Sequence, residues 1–162
     1  MRLEEAKYVG SVCETWLEEV NQGRKCTLVV LGAGQVGLLK VKKPWIFDYV
    51  YAHFDRSAAT IINTDLEMYE GIDLAVDLGK PESLTLLRQK LDGPCVVLLC
   101  NVLEHVPEGI REQVFNCAEA LARDSLGLLI CTVPFDYPYH PDPLDTMYRP
   151  SCSDLLNLSS SG

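Results

Sequence analysis

The sequence predicts an α/β protein built on a doubly wound, mostly parallel sheet with helices on both faces. One observation is that apolar runs rich in Val, Leu and Ile alternate along the chain with segments of helical spacing. Another is that the run from Cys95 to Cys100 is apolar throughout, which is typical of a strand buried on both faces. Because right-handed crossovers place successive helices on both sides of such a sheet, the alternation predicts βαβ units.

The elements are predicted to follow one another within a single domain, 1–162. The first helix stops at Asn21-Gln22-Gly23, later helices begin near Pro44, Pro81 and Pro107, and Ser151 caps the last helix. The predicted strands are Cys26–Leu31, Ala59–Asn63, Ile72–Val76, Cys95–Cys100 and Leu126–Val133. The parts of the domain are an N-terminal helix over 1–23, a core over 24–133, and a proline-rich loop with a short helix over 134–162.

Composition and charge favour a globular protein that binds a small molecule or another protein. Hydrophobic residues make up 48% of the 162 residues and charged residues 23%, as in ordinary globular domains. The net charge of −9 opposes attraction to nucleic-acid phosphates and anionic membranes, so neither is an expected partner. The basic patch of Lys40, Lys42 and Lys43 leaves a local exception open.

The sequence also predicts a cytoplasmic location. The longest uninterrupted apolar run, Cys95 to Cys100, is far shorter than the about 18 residues of a membrane span. The opening MRLEEAKYVG lacks the continuous apolar core of a signal peptide. The seven cysteines occur singly without a CxxC pair, which is typical of small buried side chains in a reducing compartment.

Glycines and acidic residues follow the first strands of the predicted sheet. Gly32, Gly34 and Gly37 form GxGxxG after the first strand, a pattern that lets the backbone turn tightly and approach a ligand. A tight turn without a ligand is the alternative. Asp65 and Asp77 end the next two strands, where they can accept hydrogen bonds from a ribose and from an adenine amine, or merely cap turns.

The central strand, Cys95 to Cys100, stops abruptly in polar residues. Asn101, Glu104 and His105 follow it directly. In open α/β sheets ligands bind beyond the carboxyl ends of the strands. The sequence therefore predicts that these side chains border a ligand site.

Taken in order, these motifs resemble the class I S-adenosylmethionine-dependent methyltransferases, most closely the small-molecule, type 11-like group. The resemblance covers about Cys26 to Leu155, and its most specific parts are the segments VLEHV and YHPDPLDTMYRP. It implies that 24–133 is a nucleotide-binding core and that S-adenosyl-L-methionine is the cofactor. The cofactor-binding residues it implies are Gly32 and Gly34 at the methionine end, Asp65 at the ribose, Asp77 with Leu78 at the adenine, and Asn101 and Val102 near the transferred methyl group.

The chain departs from this family in two places. Val30 stands where members usually carry an acid, near the amino group of the cofactor. Members also usually continue with an antiparallel strand pair after the fifth strand, whereas this chain stops at Gly162. Leu126–Val133 is therefore expected to be an apolar edge strand, which a second copy of the chain or another partner would have to cover to prevent aggregation.

The resemblance implies methyl transfer to an unidentified small-molecule acceptor. If the acceptor is a hydroxyl or an amine it must lose a proton, and His105 or His140 is the best candidate base because imidazole titrates near neutrality. A structural role for His105, fixing the loop, is the alternative. The residues Asp142, Asp145, Tyr148 and Arg149 either shape the acceptor pocket or form a loop clamp in which Arg149 pairs with an Asp.

The same residues also bear on other functional classes. No zinc-type spacing joins the His, Cys and Asp residues, so no metal is expected, and neither GxSxG nor a P-loop is present. A catalytically inactive, methyltransferase-like interaction module is one alternative, favoured by Val30 and the early stop. An NAD(P)-binding oxidoreductase is another, because it would use the same glycine turn and acid.

Overall fold

A computed structural model describes residues 1–136, 138–139 and 145–159 of the chain. These ranges contain one five-stranded sheet in the order β3-β2-β1-β4-β5, and every strand pairing in it is parallel. The predicted α/β class with a parallel sheet is therefore confirmed. The strands are β1 (Thr27–Leu31), β2 (Thr60–Asp65), β3 (Leu74–Ala75), β4 (Cys95–Cys100) and β5 (Leu128–Thr132).

The helices lie where the sequence places them. A helix follows each of Pro44, Pro81 and Pro107, and Ser151 caps the last helix by accepting the Asp154 N–H through its side chain. The helices are α1 (Leu3–Thr15), which continues as a π-helical segment (Trp16–Asn21), α2 (Val36–Lys42), α3 (Pro44–Ile46), a second π-helical segment (Phe47–Tyr51), α4 (Ala52–Arg56), α5 (Glu82–Arg88), α6 (Glu108–Asp124) and α7 (Cys152–Leu156).

The third strand is shorter than the predicted Ile72–Val76. It lies at one edge of the sheet and pairs only with β2 among the described residues. Just before β3, the Asp73 carboxylate accepts the Asn63 N–H at 2.8 Å. A side chain, and not the backbone of β3, thus accepts this hydrogen bond from β2. The regular ladder is reduced to Leu74–Ala75 for this reason.

Helices pack against both faces of the sheet. On one face Val97 and Leu99 of β4 pack with Leu121 of α6. On the other face Val96 of β4 packs with Phe54 of α4, in a cluster that also holds buried residues of α1. Since successive side chains of a strand point to opposite faces, β4 is buried on both, as its sequence predicts.

The strand β5 forms the other edge of the sheet, and in the described part of the chain it pairs only with β4. Its two faces are packed: Leu129 and Cys131 contact one core cluster, and Leu128 and Ile130 belong to the other. The expected edge position is thus confirmed. All seven cysteines are free thiols, and no helix of the described residues is long and apolar enough to cross a bilayer.

The helix α1 lies very close to the second π-helical segment. A Cβ added to Gly10 would lie 2.0 Å from the carbonyl oxygen of Tyr49, far inside van der Waals contact. A Cβ added to Gly109, in the first turn of α6, would meet no neighbour within 4 Å. The absence of a side chain at Gly10 therefore sets the distance between the two elements.

Substitution of these two helical glycines by alanine is expected to change stability in opposite directions. Alanine normally favours a helix over glycine by up to about 1 kcal/mol, so Gly109→Ala should raise the free energy of unfolding. Gly10→Ala should lower it by about 1–3 kcal/mol through overpacking. Urea unfolding of both variants measures the difference, and a Gly10→Ala variant as stable as the wild type would contradict the close packing.

Candidate functional site

A cleft of about 1570 Å³ opens along the sheet edge formed by the carboxyl ends of the strands. The strand order reverses between β1 and β4, so the loops after these strands leave in opposite directions and the cleft lies between them. His140 and Asp142 lie outside the described residues. The predicted cofactor-binding residues and the candidate base His105 all line this cleft: Gly32, Gly34, Asp65, Asp77, Leu78, Asn101, Val102 and His105.

The glycine turn after β1 requires glycine at two positions. Gly32 and Gly34 both have φ of +66°, a conformation that side-chain-bearing residues rarely adopt. A Cβ on Gly32 would lie 2.7 Å from Cγ2 of Val102, so only glycine lets the turn approach the segment after β4. A Cβ on Gly34 would meet no atom within 4 Å, because this part of the turn faces open space.

The carboxylate of Asp65 holds the glycine turn from the end of the neighbouring strand. One oxygen accepts the Gly34 N–H at 2.7 Å, and the other accepts the Leu66 N–H at 2.8 Å. Asp65 therefore caps the turn. A carboxylate oxygen can accept more than one hydrogen bond, so both oxygens retain capacity for a ligand hydroxyl in the cleft.

Asp77 also supports a turn while it lines the cleft. Its Oδ1 accepts the Gly79 N–H at 3.1 Å, and its Oδ2 lies 3.7 Å from Nζ of Lys80. Leu78 adds an apolar side chain beside it, and Ile110 of α6 lines the same region. This end of the cleft thus combines a carboxylate acceptor with apolar walls.

Asn101 turns the chain sharply after β4. Its φ is +56°, a left-handed conformation that asparagine tolerates better than most residues. Its backbone N–H donates to the Thr132 carbonyl at 2.8 Å, and its side-chain Nδ2 donates to Glu5 Oε1 at 2.8 Å. The turn leads into a short 3-10 helix, Leu103–His105, which brings His105 to the cleft.

Glu5 is a cleft residue that the sequence interpretation missed. The sequence predicts no role for Glu5, yet its carboxylate accepts hydrogen bonds from the Asn101 side chain and the Thr132 hydroxyl. A signal for this position exists in the sequence. Glu5, Val9 and Cys13 share one i, i+4 row of the helix, and Val9 and Cys13 are fully buried.

A buried carboxylate lies beside the candidate base. Glu104 is 2% exposed, and its Oε1 is 3.9 Å from Nε2 of His105. Both residues line the cleft. The contact is an ion pair only when the imidazole is protonated.

The turn that carries His105 is fixed from the core side by Arg111. This guanidinium donates to the carbonyls of Leu103 at 3.4 Å and Val106 at 3.0 Å. It also stacks on the ring of Tyr148, with its Cζ 3.7 Å from the ring centroid. Arg111 therefore helps to fix the turn that carries His105.

The loop-clamp alternative is correct for Arg149. Its guanidinium forms two parallel hydrogen bonds with Asp145, Nη1 to Oδ1 at 3.0 Å and Nη2 to Oδ2 at 2.6 Å. Asp145, Tyr148 and Arg149 are not among the described residues that line the cleft. Instead, they stabilise residues 145–150, the C-terminal part of the proline-rich segment.

The thiol and phenol in the cleft wall are neutral near pH 7. Burial raises the pKa of Cys100 to about 12, although hydrogen bonding to Thr132 opposes the shift. Burial also raises the pKa of Tyr51, whose hydroxyl donates to Oδ1 of Asn63 at 2.7 Å. Neither group serves as a nucleophile or base at neutral pH. His105 is the one histidine among the described residues of the cleft.

No group of three or more His, Cys, Asp or Glu side chains in the described ranges is arranged to hold a metal ion. Comparison with known proteins gives no further assignment: the chain matches no family model, no curated protein and no solved structure. The candidate site therefore has to be interpreted from its own geometry.

The hydrogen bonds of Asp65 predict a local effect of the substitution Asp65→Asn. An asparagine has one side-chain acceptor, so either the Gly34 or the Leu66 N–H loses its partner, at a cost of about 1–3 kcal/mol. Amide hydrogen exchange at these two residues should accelerate. The control Asp73→Asn keeps an acceptor for Asn63 and lies outside the cleft, so it should leave exchange at Gly34 unchanged. Unchanged protection of both Gly34 and Leu66 in Asp65→Asn would show that Asp65 does not hold the turn.

Proposed function

We propose that this protein binds S-adenosyl-L-methionine in the cleft and transfers its methyl group to a small-molecule acceptor. The observation that carries the proposal is that one cleft brings together the glycine turn, two acids at neighbouring strand ends and the polar segment after β4. These features lie far apart in the sequence and meet at the point where the strand order reverses. That is where open α/β sheets bind nucleotides.

The polar and apolar groups along the cleft match the chemical parts of this cofactor. The open space at Gly34 accommodates the amino-acid end close to the backbone. Asp65 has acceptor capacity for the ribose hydroxyls. Asp77 accepts from the adenine amine, and Leu78 packs against the adenine ring. The chemistry of each group at its place in the cleft supports the role that the methyltransferase resemblance implies for it.

Catalysis then depends on alignment, exclusion of water and removal of one proton. The sulfonium of the cofactor supplies an activated methyl group. His105 accepts the proton that a hydroxyl or amine acceptor loses, and Glu104, 3.9 Å away, stabilises the resulting imidazolium. The cleft, at about 1570 Å³, exceeds the roughly 300–1000 Å³ of an ordinary ligand pocket, which leaves room for a second substrate beside the cofactor.

The alternative of an NAD(P)-binding oxidoreductase is less well supported by the polar groups. Dinucleotides place their anionic pyrophosphate on the free N–H groups of a glycine turn. Here the Gly34 N–H already donates to Asp65 at 2.7 Å. The described lining also holds five carboxylates against two Lys or Arg side chains, which favours a cationic ligand over an anionic one.

The proposal also includes a cytoplasmic location and a partner that covers the β5 edge of the sheet.

Calorimetry is the direct test of cofactor class. Titration with S-adenosylmethionine and S-adenosylhomocysteine should each give saturable heat and raise the melting temperature, and NAD should do neither. Tight binding of NAD alone would replace the proposal by the oxidoreductase. No heat and no thermal shift with millimolar S-adenosylhomocysteine would overturn it in favour of an inactive interaction module.

Two left-handed glycines allow ligand binding to be separated from folding. Gly34 and Gly23 have φ of +66° and +75°, and an added Cβ meets nothing within 4 Å at either position. Alanine should therefore cost a similar about 1–2 kcal/mol of stability at both. Only Gly34 lines the cleft. Gly34→Ala should weaken binding of S-adenosylhomocysteine about tenfold, or about 1.4 kcal/mol, while Gly23→Ala leaves it unchanged. Equal affinities of the two variants would contradict binding at the turn.

A further inference from the structure

The amino-acid end of the proposed ligand needs an anionic partner, and the carboxyl end of β1 does not provide one. Its α-ammonium group carries a positive charge, and a charge removed from water needs a compensating partner. The residues of β1 that line the cleft are Val30 and Leu31, and both are neutral and apolar. The carboxylate for the ammonium group therefore has to come from another element.

Glu5 of α1 presents a carboxylate whose charge is not neutralised by its hydrogen-bond donors. Oε1 accepts from Nδ2 of Asn101 at 2.8 Å and from the hydroxyl of Thr132, and Oε2 accepts the backbone N–H of Arg2 at 3.0 Å. All three donors are neutral groups. They fix the position of the carboxylate without neutralising its charge, and the Met1 ammonium group is the cation that interacts with it electrostatically in the free protein.

Three of the four other carboxylates that line the cleft have different partners or surroundings. Both oxygens of Asp65 accept backbone N–H groups of the glycine turn and its own strand end. Asp77 is paired with Lys80 at 3.7 Å, and Glu104 is 2% exposed beside His105. Glu5 is only half-buried and lines the cleft directly.

Glu5 also lies where the two loops of the cleft meet. It is hydrogen-bonded to Asn101, and the next residue, Val102, is the one that Gly32 approaches most closely. We infer that Glu5 binds the α-ammonium group of the ligand, with Asn101 and Thr132 as positioning residues. This inference rests on the proposed function, and it assigns to the N-terminal helix a binding role in the cleft.

The test compares two ligands that differ in the amino-acid end. S-adenosylhomocysteine carries the ammonium group, whereas 5′-methylthioadenosine keeps the nucleoside and thioether without it. Glu5→Gln should weaken S-adenosylhomocysteine about tenfold, or about 1.4 kcal/mol, and leave 5′-methylthioadenosine within about twofold. Glu4→Gln is the matched control: it removes the same charge from the same helix, at a side chain that is 81% exposed and paired with Lys7. This variant should bind both ligands as the wild type does.

The outcomes separate the inference from the proposed function. Absence of binding of either ligand to the wild type would overturn the proposed function itself. Binding of both by the wild type, with equal losses for both in Glu5→Gln, would show that Glu5 only supports the cleft and would overturn the inference alone. A second measurement needs no variant: the wild type should bind the desamino analogue of S-adenosylhomocysteine about tenfold more weakly than the parent. Equal affinity for these two ligands would also overturn the inference.

Discussion

The geometry of the cleft depends on the close approach of the two loops that leave the sheet on either side of its reversal point. A Cβ on Gly32 would lie 2.7 Å from Val102, so a larger residue would force the glycine turn away from the segment after β4. The backbone of Gly32 is also left-handed, with φ of +66°. Two independent requirements, space and backbone conformation, thus select glycine at the one point where the loops touch.

Each loop is held in place by the charged side chain of another element. The carboxylate of Asp65 accepts the Gly34 N–H of the first loop, and the guanidinium of Arg111 donates to the Leu103 and Val106 carbonyls of the second. Hydrogen bonds to charged groups are stronger than those between neutral groups. The backbone around the cleft is therefore ordered by the fold, so binding does not have to supply that order.

The sequence predicts the parts of this site that belong to strand ends. A buried strand and the polar residues that end it are visible as a change in composition, which is why Asp65 and Asn101 could be placed at one edge. The π-helical segment Trp16–Asn21 could not be predicted in this way, because its wider turn shifts the phase of the apolar stripe. Val20, an apolar residue within this segment, is accordingly 49% exposed. Glu5 was missed because periodicity identifies a packed face but does not show that one residue at its margin enters a cleft.

On the proposed function, the charge of the cleft favours the substrate complex over the product complex. Methyl transfer converts a sulfonium into a neutral thioether, so the ligand loses one positive charge at the moment of reaction. The described lining carries five carboxylates and two Lys or Arg side chains. Interaction with this acidic lining is attractive for the cationic methyl donor and weaker for its demethylated product. The electrostatic attraction between the ligand and the acidic lining is therefore weaker after methyl transfer. This difference favours exchange of the product for a new methyl donor.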